Sequence, residues 1–309
     1  MHKYLIGKCA ACILLVWCTL NATAQQEWSY SQYLFNLYDI NAAYAGNHGA
    51  PSFALRYRAQ WMGMQGAPTS QQLSAHTPLI DGKMGAGLRI LNEQIGLRNQ
   101  LTARVNGAYK LQLGERTLSF GLAAGAVRNQ WRADDALVHD DEDTKLSSMQ
   151  QATITPMVDA ALFLHTDTYY AGIEANRLNR SKTNDGEGSL ERLYYNMNLT
   201  AGYMIKGISK TSTDDLLQLS TLIKFSEGNI YQAELNVLFL KNNKYWFGGG
   251  YRYPTSGQIM ACLNLSSQWR FGLSYDIPLA AQAIQRSGSG EAFLGFNLKP
   301  NNDKSIRYF

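Results

Sequence analysis

Apolar and polar residues alternate with a period of two over most of the chain after residue 50, and this pattern constrains the fold more than any other feature. In the clearest stretch, 101–113, the odd positions carry leucine, alanine, valine, glycine and tyrosine, whereas the even positions include threonine, arginine, asparagine and lysine. Such a period places alternate side chains on the two faces of a β-strand. A strand of this length is long for a soluble sandwich, but it suits a tilted membrane strand, which needs about 9–11 residues.

The same alternation recurs in further segments, which are separated by the clusters of Gly, Asn, Asp and Ser that are typical of turns. Bacterial single-chain barrels have an even number of antiparallel strands. The sequence therefore predicts an all-β protein, an antiparallel transmembrane β-barrel of about 14 strands. The predicted strands are 52–61, 69–77, 84–94, 100–113, 117–130, 157–165, 168–176, 193–206, 216–225, 230–241, 245–253, 258–265, 269–277 and 291–298.

The lengths of the connections support a barrel independently of the strands. The long connections are 131–156, 178–192 and 278–290, and all three are odd-numbered in chain order. The even-numbered connections are short, except for the one after Lys206. Outer-membrane barrels have long external loops and short periplasmic turns, so this parity predicts that both ends of the strand series lie on the periplasmic side.

The first 24 residues have the features of a cleaved signal peptide. Lys3 and Lys8 precede and border an apolar run, 9–20, and Ala22-Thr23-Ala24 supplies a cleavage site that leaves Gln25 as the new N-terminus. A retained anchor is the alternative, but the run is shorter than the ~20 residues that span a bilayer. We therefore predict export to the outer membrane of a diderm bacterium and a mature domain over 25–309. Of the four cysteines only Cys262 would remain, so no disulfide framework is expected.

The sequence contains no pattern that indicates catalysis, and we predict a protein that is not an enzyme, with no catalytic residue, no cofactor and no metal site. Neither a zinc-binding histidine pair, nor a nucleophile elbow, nor a phosphate-binding loop is present. The acidic run 140–143 lacks the calcium-loop pattern, and we interpret it as a solvated external loop. The formal net charge of +4 is too small to indicate a nucleic-acid partner.

Charged residues also occur on the predicted polar faces of the strands, where they would face a lumen. They would either line a weakly anion-favouring open channel, or pair with one another or with a plug and close the pore; their mixed signs favour the second alternative. These residues are Arg56, Arg58, Arg104, Lys110, Arg128, Glu174, Lys224, Glu234 and Arg252. Four tryptophans at or near predicted strand ends are interpreted as an aromatic girdle, although Trp also simply favours strands. They are Trp61, Trp131, Trp246 and Trp269.

Several short motifs resemble those of the PorP/SprF family, outer-membrane proteins of the type IX secretion system in Bacteroidota. The motifs are Ser31-Gln32-Tyr33-Leu34-Phe35-Asn36, Asn41-Ala42-Ala43-Tyr44-Ala45-Gly46, Tyr57-Arg58-Ala59-Gln60-Trp61, Gly66-Ala67-Pro68-Thr69 and Ser74-Ala75-His76-Thr77-Pro78, followed by Gly85-Ala86-Gly87-Leu88, Gly249-Gly250-Tyr251-Arg252, Phe271-Gly272-Leu273-Ser274-Tyr275-Asp276 and Arg307-Tyr308-Phe309. Ala42 stands where the family usually has Pro, and Gly290 where His is common. These departures imply a divergent paralogue of the family, which would serve either the core secretion machine or one particular cargo protein.

The resemblance implies a barrel that works by holding partners. The implied partners are periplasmic or lipoprotein subunits of the secretion ring, or a secreted surface protein such as a gliding adhesin, with outer-membrane lipid around the barrel. The implied function is to scaffold the ring or to anchor or export that surface protein. A passive or substrate-specific channel is the alternative.

Both ends of the mature chain are candidate partner-binding segments. Residues 25–50 are either a periplasmic or plugging segment or merely a lead into the first strand, and 299–309 are interpreted as a periplasmic tail. The terminal aromatic residue is either a barrel-assembly signal or part of a docking tail. The candidate partner-binding residues are Tyr33, Phe35, Asn41, Tyr44, Arg307, Tyr308 and Phe309.

Overall fold

The computed structural model describes residues 30–131, 152–180, 182–184, 190–192, 195–208, 215–227, 229–279 and 287–298. The predicted signal peptide (1–24), the acidic run (140–143) and the predicted tail with Arg307, Tyr308 and Phe309 lie outside these ranges. Within them, no helix has both the length and the apolar character needed to cross a bilayer.

Fourteen antiparallel strands form a closed barrel, which confirms the predicted fold class. Each strand pairs with its neighbours in the series, and the first strand pairs with the last, from Ser52 opposite Asn297 to Ala59 opposite Gly290. The strands are β1 (Ser52–Ala59), β2 (Thr69–Leu79), β3 (Met84–Ile95), β4 (Arg98–Leu113), β5 (Arg116–Trp131), β6 (Thr153–His165), β7 (Tyr169–Asn176), β10 (Asn196–Lys206), β11 (Leu216–Ser226), β12 (Asn229–Lys241), β13 (Tyr245–Tyr253), β14 (Ser256–Asn264), β15 (Trp269–Pro278) and β16 (Ser289–Asn297), with a separate hairpin of β8 (Lys182–Asn184) and β9 (Leu190–Arg192). The hairpin lies in a connection that the sequence predicted to be only a loop.

The two faces of the wall differ as the alternation predicts. In β1, Phe53, Leu55 and Tyr57 point outward and are exposed, whereas Arg56 and Arg58 point into the lumen and are buried. Exposed aliphatic and aromatic side chains recur on the outer face of the other strands, where lipid would cover them. The barrel therefore has an apolar outer wall and a polar inner wall.

The long connections all lie at one end of the barrel. Residues 132–152, 177–195 and 279–288 join strands at this end, which we call the long-loop end. The opposite, short-turn end carries brief turns such as 114–115 and a longer connection, 207–215. Because β1 begins and β16 ends at the short-turn end, this end faces the periplasm in the usual orientation of such barrels.

Two expectations about individual residues were wrong. Trp246 does not belong to an outer girdle, because its side chain points into the lumen and is 4% exposed. Arg128 does not face the lumen, because it follows the outward-pointing Leu122 at an even spacing and is exposed. By contrast, Trp131 and Trp269 are exposed at strand ends, as a girdle requires. Trp61 lies beyond the end of β1, in the connection to β2.

The outer wall provides a direct test of membrane depth. Leu122, in the middle of β5, and Ile80, in the turn after β2, are each 68% exposed. We expect Leu122→Arg to destabilise the barrel by about 2–4 kcal/mol, because a charge at the bilayer midplane is costly, and Ile80→Arg by only about 0–1 kcal/mol. Urea titration in lipid vesicles, followed by heat-modifiable gel migration, measures both. Equal effects of the two variants would contradict this placement of the barrel in the membrane.

Candidate functional site in the barrel lumen

Residues 30–50, here called the luminal segment, lie inside the barrel. They form three short 3-10 helices, Ser31–Phe35, Leu37–Asp39 and Ala42–Tyr44, and almost every side chain is buried. Asn41 caps the third of these, since its side-chain oxygen accepts from the N–H of Ala43 at 3.0 Å. The segment has neither the alternation of a strand nor the periodicity of a helix, so its shape is set by the wall around it.

The luminal segment crosses the barrel from end to end. Tyr30 donates to Ser70 Oγ at 3.0 Å near the long-loop end of β2. Phe35 accepts from Arg270, close to the short-turn end of β15. The chain then crosses to β6 and β7, where Asn41 donates to the carbonyls of Leu162 and Ile173. It returns to β2, where Gly46 donates to His76 Nδ1 at 3.1 Å, before it enters β1. Its first described residue is thus at the end opposite to the start of the barrel.

A buried cluster of three arginines and four carboxylates holds the start of the luminal segment. Its members, which we call the arginine–carboxylate cluster, are Arg56, Arg58, Arg252, Asp39, Glu234, Asp276 and Glu291. Their ion pairs are Arg56–Asp39 (2.8 Å), Arg56–Glu291 (3.3 Å), Arg58–Asp276 (2.5 Å), Arg58–Glu291 (3.4 Å), Arg252–Glu234 (2.6 Å) and Arg252–Asp276 (2.7 Å). Because the charges are paired and hydrogen-bonded, they can be buried together in the lumen.

Glu291 joins this cluster to the main chain of the luminal segment. Its two carboxylate oxygens accept from the N–H groups of Ser31 (2.9 Å) and Gln32 (3.1 Å). The hydroxyl of Ser31 donates to Asp276 at 2.7 Å and accepts from Arg252 at 2.9 Å. One carboxylate therefore forms ion pairs with two arginines and accepts from two backbone donors.

Aromatic residues fill the centre of the lumen. Phe35 packs against Trp246 and Phe293, with ring centroids 6.1 Å and 6.0 Å apart. Tyr44 makes an edge-to-face contact with Phe163 at 5.3 Å. Tyr38 donates to Asn106 at 2.5 Å. These contacts give the luminal segment an apolar core of its own inside a polar wall.

Inward-facing glycines in the wall leave room for the luminal segment. A Cβ atom at Gly121 would lie 2.5 Å from the backbone nitrogen and 2.7 Å from the Cα atom of Ala43. A Cβ at Gly172 would lie 2.8 Å from Nδ2 of Asn41, which donates to the main-chain carbonyls of Leu162 and Ile173. Equivalent close approaches occur at Gly85, Gly87 and Gly272. The wall and the luminal segment are thus complementary in shape.

Inward-facing side chains of the described wall have little contact with water. Gln218 and Glu234 point inward from the wall and are 1% and 0% exposed, although such side chains would be wet in an open channel. Beside Phe35, a cavity of about 30 Å³ remains, enough for one or two waters. The described part of the lumen is therefore filled by the luminal segment and by side chains of the wall.

Four of the seven predicted partner-binding residues lie within the described ranges. Tyr33, Phe35, Asn41 and Tyr44 all lie in the luminal segment, buried against the protein's own wall, so a partner reaches them only if the segment moves. Partner binding by them stays a prediction. Among the predicted luminal charges, ion pairs confirm the expected pairing for six residues. These are Arg56, Arg58, Arg104, Glu174, Glu234 and Arg252.

Sequence reasoning missed other charged residues of the lumen. Asp276 and Glu291 hold the luminal segment, and Arg89 pairs with Glu174 at 2.7 Å. A signal for Asp276 and Arg89 was available, since each stands between two outward-pointing apolar residues of its strand. Among the described residues, no group of three or more His, Cys, Asp or Glu side chains could hold a metal ion.

A closed fourteen-stranded barrel with an apolar outer wall defines an outer-membrane β-barrel, in this case one whose lumen is occupied by its own N-terminal segment. The family model for the type IX secretion system membrane protein PorP/SprF matches residues 22–296. The chain therefore belongs to the PorP/SprF family and is an outer-membrane protein. This is a family of secretion-system membrane proteins, not of enzymes.

The fold of the chain is similar to that of a solved outer-membrane barrel. The toluene transporter TbuX from Ralstonia pickettii superposes with a TM-score of 0.51 at 11% sequence identity, covering 86% of this chain and 93% of the transporter. KdgM porin superposes with a TM-score of 0.41 at 9% identity, covering 80% of this chain and 99% of the porin. At these identities the likeness concerns the fold alone. No curated protein sequence matches the chain.

Proposed function

We propose that this protein is an outer-membrane component of the type IX secretion system that acts by holding other proteins and not by catalysis. It would either scaffold periplasmic and lipoprotein subunits of the secretion ring, or anchor or export a surface protein such as a gliding adhesin. Family membership supports the secretion role. The occupied lumen supports holding over conduction, because a lumen filled by protein leaves no aqueous path for a solute.

One observation carries this proposal against the alternative of a passive or substrate-specific channel. The luminal segment spans the barrel and is held at the long-loop end by the arginine–carboxylate cluster. The inward-facing side chains of Gln218, on β11, and of Glu234, in the cluster, are shielded from water. A porin keeps an aqueous path between such side chains. The purified protein in planar bilayers should therefore give no stepwise conductance, and steady open-channel steps from the unmodified protein would favour the channel.

Partners are best identified on whole cells. We expect that mild crosslinking, purification of a tagged protein and mass spectrometry will recover ring subunits or one large surface protein, because the scaffold must contact its partners in the assembled state. Recovery of the barrel alone, with a crosslinker that works on a known complex, would contradict the proposed scaffolding role.

The C-terminal tail allows a matched comparison. β16 ends at Asn297 at the short-turn end, and residues 299–309 follow it, so we propose that periplasmic partners dock there. Alanine at Arg307, Tyr308 and Phe309 together should reduce recovery of a periplasmic partner, while alanine at 301–303 should leave it unchanged. Unchanged recovery with both variants would place docking elsewhere.

A further inference from the structure

The wall of the barrel binds the main chain of the luminal segment as well as its side chains. Five side chains of the wall donate to its carbonyl groups, and three accept from its N–H groups. The donors are Arg56 to Gln32 O (3.1 Å), Arg270 to Phe35 O (3.3 Å), Arg89 to Asp39 O (3.1 Å), Asn106 to Ala42 O (2.9 Å) and Lys110 to Gly46 O. The acceptors are Glu291 for the N–H groups of Ser31 and Gln32, Glu174 for that of Ala42 (3.1 Å) and His76 for that of Gly46 (3.1 Å).

These contacts replace the hydrogen bonds that secondary structure normally supplies. The segment's internal bonds form only short turns, such as Asn36 N to Tyr33 O at 3.0 Å, and further N–H and C=O groups need partners from the wall. A side chain that binds a main-chain group recognises any peptide with the right path. The eight wall side chains that bind the main chain, here called the backbone track, therefore form a binding site for a polypeptide backbone.

Polar sites of the wall beside the backbone track bind particular side chains of the luminal segment. The amide of Gln32 donates to Ser274 (3.3 Å) and to the carbonyl of Glu291 (3.1 Å), next to Gly272. The hydroxyl of Tyr33 accepts from Asn236 at 3.2 Å. Within residues 30–50, Asp39 is the only Asp, Glu, Lys or Arg. The track thus fits peptides that are rich in aromatic and amide side chains and poor in charge.

We infer that the lumen is a peptide-binding site in which the protein's own residues 30–50 are the resident ligand. A segment of another polypeptide with the same chemistry binds there when the resident segment leaves. The site lies between Ser31 at the arginine–carboxylate cluster and Gly46 beside His76. This inference does not depend on the secretion role proposed above, because it concerns what the lumen binds and not which assembly contains the barrel.

The exposed turn at His48-Gly49 allows the resident segment to be separated after folding. Gly49 is exposed and has open space around it, so a protease site is inserted directly after it, and Gly49 itself is kept because its φ of 79° favours glycine. The full chain is folded, purified and then cut there, which leaves the segment held only by non-covalent contacts. A fluorescent peptide of residues 30–48 is then added, and its binding is followed by gel filtration and native mass spectrometry.

We expect the labelled peptide to replace the cut segment, while the same peptide with Gln32→Lys, Tyr33→Lys and Asn41→Lys binds at least ten-fold less, because it carries charge where the wall accepts amide and aromatic side chains. A disulfide between Asn36→Cys and Ser74→Cys, whose native side chains meet at 2.9 Å, should block exchange until it is reduced. Cys262→Ser in all variants removes the competing thiol. The inference is overturned if the lysine-substituted peptide binds equally well, or if the cut segment never exchanges, even in urea concentrations below those that unfold the barrel.

Discussion

Gly121→Val is expected to expel the luminal segment from an otherwise intact barrel. The new Cβ atom would lie 2.5 Å from the backbone nitrogen and 2.7 Å from the Cα atom of Ala43. A backbone, unlike a side chain, cannot rotate away from such a contact. Overpacking of this kind costs about 1–3 kcal/mol. Chymotrypsin digestion of the folded protein should then cut at Tyr33 and Tyr38, which are protected in the parent, and planar bilayers should show stepwise conductance.

Gly107→Val is the matched control. Gly107 lies in β4, next to β5, but faces outward, and a Cβ atom there meets nothing within 4 Å. We expect this variant to keep the protease protection and the closed state of the parent. If both variants are cleaved and conduct, or if neither does, then Gly121 does not determine whether the luminal segment stays in the lumen.

The strands could be predicted from the sequence because a barrel wall places opposite demands on successive residues. β13 was predicted with its observed bounds, Tyr245–Tyr253, since lipid on one side and a polar lumen on the other enforce the period of two. β6 begins at Thr153 and not at 157, because Thr153–Pro156 continues the ladder at the rim, where the apolar contrast fades. Trp246 was misplaced for a related reason: an aromatic residue near a strand end suits a girdle as well as a packed lumen.

The luminal segment could not be placed from the sequence alone. Its buried residues Ser31, Gln32 and Asn41 would be expected on a surface, and only the wall's Glu291, Asp276 and backbone carbonyls make their burial possible. Those partners are more than 120 residues away along the chain. No local pattern encodes contacts of this range, and the glycines that make room for them resemble any other glycines of a strand.

Glu291 is the carboxylate that joins the wall to the luminal segment. Glu291→Ala is expected to destabilise the folded protein by about 1–3 kcal/mol for each buried N–H group that it leaves without an acceptor, and these are the N–H groups of Ser31 and Gln32. Arg56 and Arg58 lose one carboxylate but keep Asp39 and Asp276 as partners, so the charge of the cluster stays balanced. The shift of the urea midpoint in heat-modifiable gel migration measures the loss.

Two further variants separate the possible causes of that loss. Glu291→Gln keeps an oxygen acceptor for one N–H but removes the charge, so its effect should fall between those of the parent and of Glu291→Ala. Glu115→Ala removes a carboxylate from an exposed turn at the short-turn end and should leave the midpoint unchanged. If Glu291→Ala were as stable as Glu115→Ala, the N–H groups of Ser31 and Gln32 would have found water or other acceptors, and Glu291 would not be what holds the luminal segment in place.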